Sequence, residues 1–341
     1  MMRRWQQVWR LLPLFVVMAL ALVLTGCEQN EYLSTLTPKG PVAETQLFMM
    51  KLSLGIMLGV FAVVILIFTY VLIRYRKRKG DNRIPEQVEG NHKLEIIWTV
   101  IPFILLIIMA VPMVSMTFDF AKDYSNDKNA VQVKVIGHQF WWEFEYPELG
   151  IKTSQDLMIP VGKKINFEIT STDVMHSFWV PSLGGKIDNN PGLTNHLWLQ
   201  ADKEGIYEGK CAELCGASHA LMDFKVIAVK QEEFDSWAAK MADRVKNPPV
   251  ASADQGAEIF QKSCIGCHAV NGQGGKLAPD LTNFGDRTKV GGILDNNAEN
   301  IKKWLKETNT IKPGNKMGEL GLTDEQVDAL TNYLQSLKVN Q

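Results

Sequence analysis

Cysteine is scarce in this sequence. Five occur in 341 residues: Cys27, Cys211, Cys215, Cys264 and Cys267. An odd count in an exported protein normally flags a leftover thiol. Here each falls in a separate local pattern, and none remains for a structural disulfide. An excess of one charge is also lacking. The formal net charge is -1, so nothing overall points to nucleic acid. No Cys follows Cys267, no His follows His268, and the single Met beyond His268 is Met317. Two long stretches, Leu52 to Ile73 and Ile96 to Phe118, carry no charge at all. The length suffices for two modest globular domains plus membrane segments.

What is there begins with Arg3, Arg4 and Arg10 ahead of an apolar run from Leu11 to Leu24. This is a signal-peptide layout. It ends in Leu24-Thr25-Gly26-Cys27, which resembles a bacterial lipobox and implies cleavage before Cys27 and lipidation of its sulfur. An uncleaved anchor with an incidental cysteine is the plainer reading. Each uncharged stretch exceeds the ~20 residues that cross a ~30 Å hydrocarbon layer, giving spans at about 47–73 and 95–118. Arg74-Tyr75-Arg76-Lys77-Arg78-Lys79 lies between them, which places that loop in the cytoplasm. The topology is out–in–out, with everything after about Asp119 outside the cytoplasmic membrane. Glu95 stands at the cytoplasmic entrance of the second span. A carboxylate there is usually a solvated end-cap, favoured by the helix dipole.

From Val131 to Lys230 the pattern turns β-like. Val131-Gln132-Val133-Lys134-Val135 and Ile165-Asn166-Phe167-Glu168-Ile169 alternate. His196 to Leu199 and Phe224 to Val229 read as further strands between Pro and Gly clusters. About 100 residues of short strands suggest an antiparallel sandwich. One loop in it offers two thiols, an imidazole and a thioether: Cys211, Cys215, His219 and Met222, with His176 upstream. Soft sulfur plus imidazole selects copper, and a weak Met is typical of electron-transfer sites. Structural zinc has no use for Met. The competing reading is a Cys211–Cys215 disulfide beside ordinary His219 and Met222.

Cys-x-Glu-x-Cys-x3-His-x2-Met, with an upstream His176-Ser177-Phe178-Trp179-Val180-Pro181, resembles the dinuclear copper (CuA) site of cytochrome c oxidase subunit II. The resemblance runs from the first span to about Lys230. It implies a cupredoxin-like Greek-key sandwich and copper ligands at His176, Cys211, the Glu213 carbonyl, Cys215, His219 and Met222. It also implies that the Glu213 side chain helps bind magnesium at the interface with subunit I. Glu95, in the matching Glu-x-x-Trp-Thr stretch, is implied to stand at the mouth of a proton path. Many relatives carry Trp directly after His-Gln as the electron port, whereas this chain has Phe140. Trp141 or Trp142 are the substitutes for electron transfer, unless the donor approaches elsewhere.

Beyond a linker at Lys246 to Ser252 stands Cys264-Ile265-Gly266-Cys267-His268. C-x-x-C-H is the c-type haem attachment motif, with two thioethers to the porphyrin and the His on iron. Zinc would need two more ligands, and a thioredoxin-like pair would need no adjacent His. By elimination Met317 is the sixth ligand, the arrangement of electron-transfer cytochromes; an exposed loop Met is the rival. Helices are expected over Ala253 to Lys262 and Asn300 to Thr308. A third opens at the capping box Thr323 to Gln326, with Val327, Leu330, Leu334 and Leu337 on one face.

The expected fold class is multi-domain: a two-helix transmembrane hairpin, a cupredoxin-like β-sandwich, then a small all-α class I cytochrome c domain. The division runs 1–26 leader, 27–119 lipid-anchored hairpin, 128–232 copper domain, 233–251 helical segment and linker, 252–341 cytochrome. The layout resembles the caa-type oxidases of bacteria, especially Gram-positive ones. That resemblance implies electron flow from haem c to copper to subunit I, O₂ reduction to water and proton pumping. It implies subunit III and small subunits as further partners. The donor is a cytochrome or a quinol–cytochrome c reductase. The alternatives are a copper-containing nitric oxide reductase subunit and a stand-alone lipoprotein electron carrier or metallochaperone. Quinol-oxidase subunit II is disfavoured, because those relatives have lost the copper ligands.

Overall fold

The computed structural model describes residues 15, 17, 18, 30–77, 80, 84, 86, 87, 89–248 and 254–339. Cys27, all but three positions of the leader, and linker residues 249–253 lie outside the described residues.

Two helices come first, α1 (Pro41–Arg74) and α2 (His92–Phe120), and both are long and apolar enough to cross a membrane. At 1.5 Å per residue α1 is about 50 Å long, well beyond the ~30 Å of hydrocarbon. Its first turns are therefore not membrane. Val42 and Ala43 are buried against the sandwich, and Ala43 N–H donates to the Leu183 carbonyl at 3.2 Å. An uncharged run marks only the lipid-facing part, so this early start is not readable as a span. The end of α2 is tied to the same domain, where Trp198 Nε1 donates to the Asp119 carbonyl at 3.1 Å. Lys164 Nζ lies 3.9 Å above the Tyr124 ring, which meets Trp198 edge-on. Aromatic and basic side chains at a helix end suit a membrane–water boundary.

Ten strands follow: β1 (Val131–His138), β2 (Trp141–Tyr146), β3 (Ile151–Ser154), β4 (Asp156–Pro160), β5 (Ile165–Ser171), β6 (His176–Trp179), β7 (Ile187–Asn189), β8 (Asn195–Leu199), β9 (Gly205–Cys211) and β10 (Asp223–Val229). They form two five-stranded sheets, ordered β3-β2-β1-β5-β8 and β4-β10-β9-β6-β7. Most neighbours are antiparallel, but β1–β5 and β4–β10 are parallel. Alternation in β2 sends Trp142, Phe144 and Tyr146 inward, as period-2 geometry requires. Phe178 and Phe224 stack between the sheets with centroids 4.8 Å apart. Each fully buried side chain of this size contributes about 1.5–3 kcal/mol. Gly209 pairs with Phe224 across β9–β10, and only a bare Cα leaves room for that ring.

Helix α3 (Gln231–Lys246) closes the open end of the sandwich. Phe234, Trp237, Ala238 and Met241 are buried in the same core, and Trp237 meets Tyr146 at 5.4 Å. Most of the helix lies within the segment 233–251 expected to be helix and linker, and it shares the sandwich core. Its partners are far away in sequence, and its spacing alone does not name them.

The C-terminal unit has its own core. It comprises α4 (Gln255–Ser263), α5 (Ala298–Ile311), α6 (Asp324–Ser336) and two short hairpins. Asp254, Asn297 and Thr323 cap the three helices, the last in a full capping box with Gln326. Phe260, Ile301, Leu305, Val327, Leu330 and Leu334 meet in the centre. Helix α4 crosses α6 at Gly256, where an added Cβ would run into the Ala329 carbonyl and the Tyr333 side chain. Gly256→Ala should therefore push the helices apart at a cost of about 1–3 kcal/mol. Hydrogen exchange should quicken in α4 and α6 and stay unchanged in the sandwich strands.

Candidate metal centre and haem-attachment site

The copper loop leaves β9 at Cys211 and returns to β10 through a short turn of helix at His219–Leu221. His176 starts β6, the strand beside β9. Its imidazole lies over Gly137 of β1, where a Cβ would stand only 2.7 Å from the ring. The two thiol sulfurs are 3.8 Å apart. A disulfide is ~2.05 Å, so the disulfide reading does not hold. Cys211 Sγ has His176 Nδ1 at 3.9 Å and the Glu213 carbonyl at 3.3 Å. Cys215 Sγ has His219 Nδ1 at 3.7 Å and Met222 Sδ at 3.7 Å. Each sulfur thus carries one imidazole and one weak donor. Donor atoms of His176, Cys211 and Cys215 all fall within 4.8 Å of one another.

The thiols behave as a pair. The hydrogen bond from Cys215 holds the Cys211 thiol far below its usual range, against burial and with help from His176. The same bond, and then burial, push Cys215 far up. Two thiolates this close repel each other, so a bound cation favours loss of the proton from both sulfurs. Behind the donors stands a shell absent from the sequence reading. Asp173 Oδ1 accepts from His176 Nε2 at 2.9 Å, and Oδ2 accepts from the Gln139 N–H at 2.8 Å. Burial alone would raise the Asp173 pKa, but His176 and the Gln139 and Val174 N–H groups hold it well below the carboxylate range. Gln139 Nε2 also donates to the Cys215 carbonyl at 2.7 Å. Such outer partners fix the tautomer and ring orientation of a ligating His. The acid three residues before His176 was the available signal.

In the C-terminal unit, His268 Nδ1 donates to the Pro279 carbonyl at 2.8 Å. That bond fixes the tautomer and leaves Nε2 as the free acceptor. Burial lowers the pKa of this ring, which keeps it neutral. Cys264 is half-buried and Cys267 exposed, both as free thiols. Met317 is half-buried against the helical core rather than lying free in a loop. Its N–H donates to Asn315 Oδ1 at 2.9 Å. Arg287 is buried with its Nε lacking a partner among the described residues. Its Nη2 donates to the Asp280 carbonyl and to Asn283 Oδ1, and its charge helps keep His268 neutral. The donor set, an imidazole, a thioether and two free thiols, fits a haem of the c type.

The two sites face each other. Ser218, next to His219, donates to the Pro313 carbonyl at 2.6 Å. Lys316, next to Met317, pairs with Asp173 at 3.6 Å. Phe140 is 4 % exposed, and its ring lies between two glycines. A Cβ on Gly216 of the copper loop would be 3.1 Å from it, and one on Gly314 of the Met317 loop 3.6 Å. A second patch joins the domains at Thr153–Asn283 and at Ser154 with the Asp280 N–H. Arg244 also donates to the Lys338 carbonyl at 2.8 Å. Trp142 is fully buried and donates through Nε1 to the Met222 carbonyl at 3.3 Å. It therefore offers no face to a soluble donor, because β2 alternation turns it into the core. Trp141 is half-buried and stacks on His138 at 4.0 Å. Glu95 lies in the first turn of α2, 3.5 Å from His92 Nδ1 and away from both centres.

Comparison with known proteins settles the family. Residues 36–116 match the cytochrome c oxidase subunit II transmembrane domain, 149–229 its periplasmic domain, and 253–338 cytochrome c. The chain is 50% identical to cytochrome c oxidase subunit 2 of Alkalihalophilus pseudofirmus, over 99% of both chains. The chain belongs to the cytochrome c oxidase subunit II family. It is 53% identical to the corresponding subunit of a Bacillus species, over 97% of this chain and 98% of that one. It is also 40% identical to quinol oxidase subunit 2 of Bacillus subtilis, over 67% and 72%. The cytochrome c match lies C-terminal to both oxidase matches, and the periplasmic match covers the loop where the sulfur pair sits. The family fold is the one seen here, two apolar helices, a cupredoxin-like sandwich and a helical cytochrome c unit.

The contact between the domains is directly testable. Ser218→Ala leaves the Pro313 carbonyl without its partner and should cost about 1–3 kcal/mol of local protection. Amide exchange over Gly314–Met317 should quicken while that of β9 and β10 stays put.

Proposed function

We propose that this chain is the electron-entry subunit II of a proton-pumping cytochrome c oxidase that reduces O₂ to water. The observation that carries the reading is the pair of unbonded sulfurs 3.8 Å apart, each with one imidazole and one weak donor. His176, Cys211, the Glu213 carbonyl, Cys215, His219 and Met222 hold dinuclear copper. Cys264 and Cys267 would hold haem c covalently, with His268 and Met317 as the residues that would bind its iron. Bound there, haem c and copper would supply one-electron chemistry for a relay that ends at subunit I, where O₂ would be reduced.

The chain's own task is to orient and to exclude water. Asp173 and Gln139 hold the copper loop, and Pro279 holds His268. Phe140, buried between Gly216 and Gly314, fills the position where many relatives carry the port for a soluble cytochrome. We therefore assign electron entry to the fused cytochrome rather than to Trp141 or Trp142. Glu213, half-buried beside the loop, is assigned to a magnesium shared with subunit I, and Glu95 to the entrance of the proton path. The domain division is that of the sequence, with α3 moved into the copper domain. We place the protein in the cell membrane, lipid-anchored at Cys27, with both redox domains outside. Its further partners are subunit III, small subunits and a donor cytochrome or quinol–cytochrome c reductase. Full-length identity to oxidase subunits supports this reading over a nitric oxide reductase.

The purified protein should contain two coppers and one haem that resists extraction into acid acetone. Zinc in place of copper, or extractable haem, would sink the assignment. Met222→Leu should alter the copper spectrum and slow the oxidation of haem c while the haem stays attached. Unchanged oxidation would mean that the order of the relay is wrong.

A further inference from the structure

Lys312 caps the C-terminus of α5, five residues before Met317, and is 3 % exposed. Lysines are almost never buried this fully unless paired. Its Nζ donates to the Gly291 carbonyl at 2.7 Å. That carbonyl belongs to the tight Gly291–Gly292 turn, which packs on the sandwich at Gln155 and the Asp223 carbonyl. The charged or titratable groups that act on the amine are Asp223 and Cys215, both from the copper domain. Asp223 already holds Lys210 at 2.5 Å, so it does not neutralise Lys312 directly. Burial lowers the amine to about 8, against the pull of Asp223 and Cys215. It therefore keeps its proton at neutral pH.

A purely structural role does not explain this choice. A neutral side chain with an N–H donor, such as Gln, would serve the Gly291 carbonyl without desolvating a charge. The retained charge sits where the domain carrying haem c meets the loop carrying copper. A fixed cation favours whichever state of a nearby centre holds the extra electron. In a dry interface that effect is screened far less than at the surface.

We propose that Lys312 is an electrostatic positioning residue for the haem-to-copper step: its buried ammonium raises the midpoint potential of the copper centre. One electron leaves haem c and enters the copper site, and the ammonium tilts that equilibrium toward copper. The inference rests on the copper assignment above.

The test uses the assembled oxidase with Lys312→Gln, which removes the charge but keeps a donor for Gly291, and Lys312→Arg, which keeps both. The copper midpoint is read by spectroelectrochemical titration, and copper and haem content are measured on the same samples. In the Gln variant the haem-to-copper equilibrium constant should fall by about threefold to thirtyfold. Tenfold corresponds to about 59 mV for one electron. The Arg variant should keep the midpoint of the unaltered protein. A Gln variant with full copper and an unmoved midpoint overturns the proposal. Loss of either cofactor in the Gln variant makes Lys312 structural and overturns it as well. Failure of the copper assignment would show separately, as an unaltered protein lacking two coppers.

Discussion

Phe140 is held between the copper loop and the Met317 loop, with a glycine on each side of its ring. The working arrangement depends on that contact. A Cβ at Gly216 would press on the ring from the copper side. Gly314 has φ of 77°, a left-handed conformation that suits glycine. The turn at Pro313–Gly314 can therefore lie flat against the sandwich. Polar contacts flank this apolar centre, with the buried Ser218 on Pro313 and Asp173 on Lys316. Here the interface lies within one chain, so its formation needs no encounter between separate molecules.

Asp173 links the two halves of this arrangement. One oxygen holds the Nε2 of His176, and the other faces Lys316, one residue from Met317. The orientation of one copper-loop imidazole and the seating of the cytochrome loop thus share a carboxylate. Gln139 joins the same network through its N–H to Asp173 and its side chain to the Cys215 carbonyl. The turn that places Phe140 is fixed by the groups that fix the thiols. Lys312 adds a charge to the interface without adding an ion pair.

Much of this was legible in the sequence, where local chemistry decides. The Cys-x-Glu-x-Cys-x3-His-x2-Met loop, the C-x-x-C-H motif and the capping box at Thr323 each depend on residues within a few positions. So does the alternation of β1 and β5. What was not legible depends on partners far along the chain. The face of α3 that meets Tyr146, the burial of Val42 and Ala43, and the Ser218–Pro313 bond all join segments dozens to nearly a hundred and fifty residues apart. The burial of Trp142 was not legible because an aromatic cluster reads alike whether it faces solvent or the core. Only the register of β1 with β2 decides which way it turns.

The central claim is that the cytochrome domain works from one docked position on the copper loop, and not as a tethered domain that swings. Haem c can be photoreduced in the assembled oxidase and its reoxidation by copper followed in time. A docked interface predicts a single-exponential rate that is independent of protein concentration, ionic strength and solvent viscosity. A rate that falls as salt or viscosity rises would contradict it, since a domain that must find the copper loop anew is slowed by both.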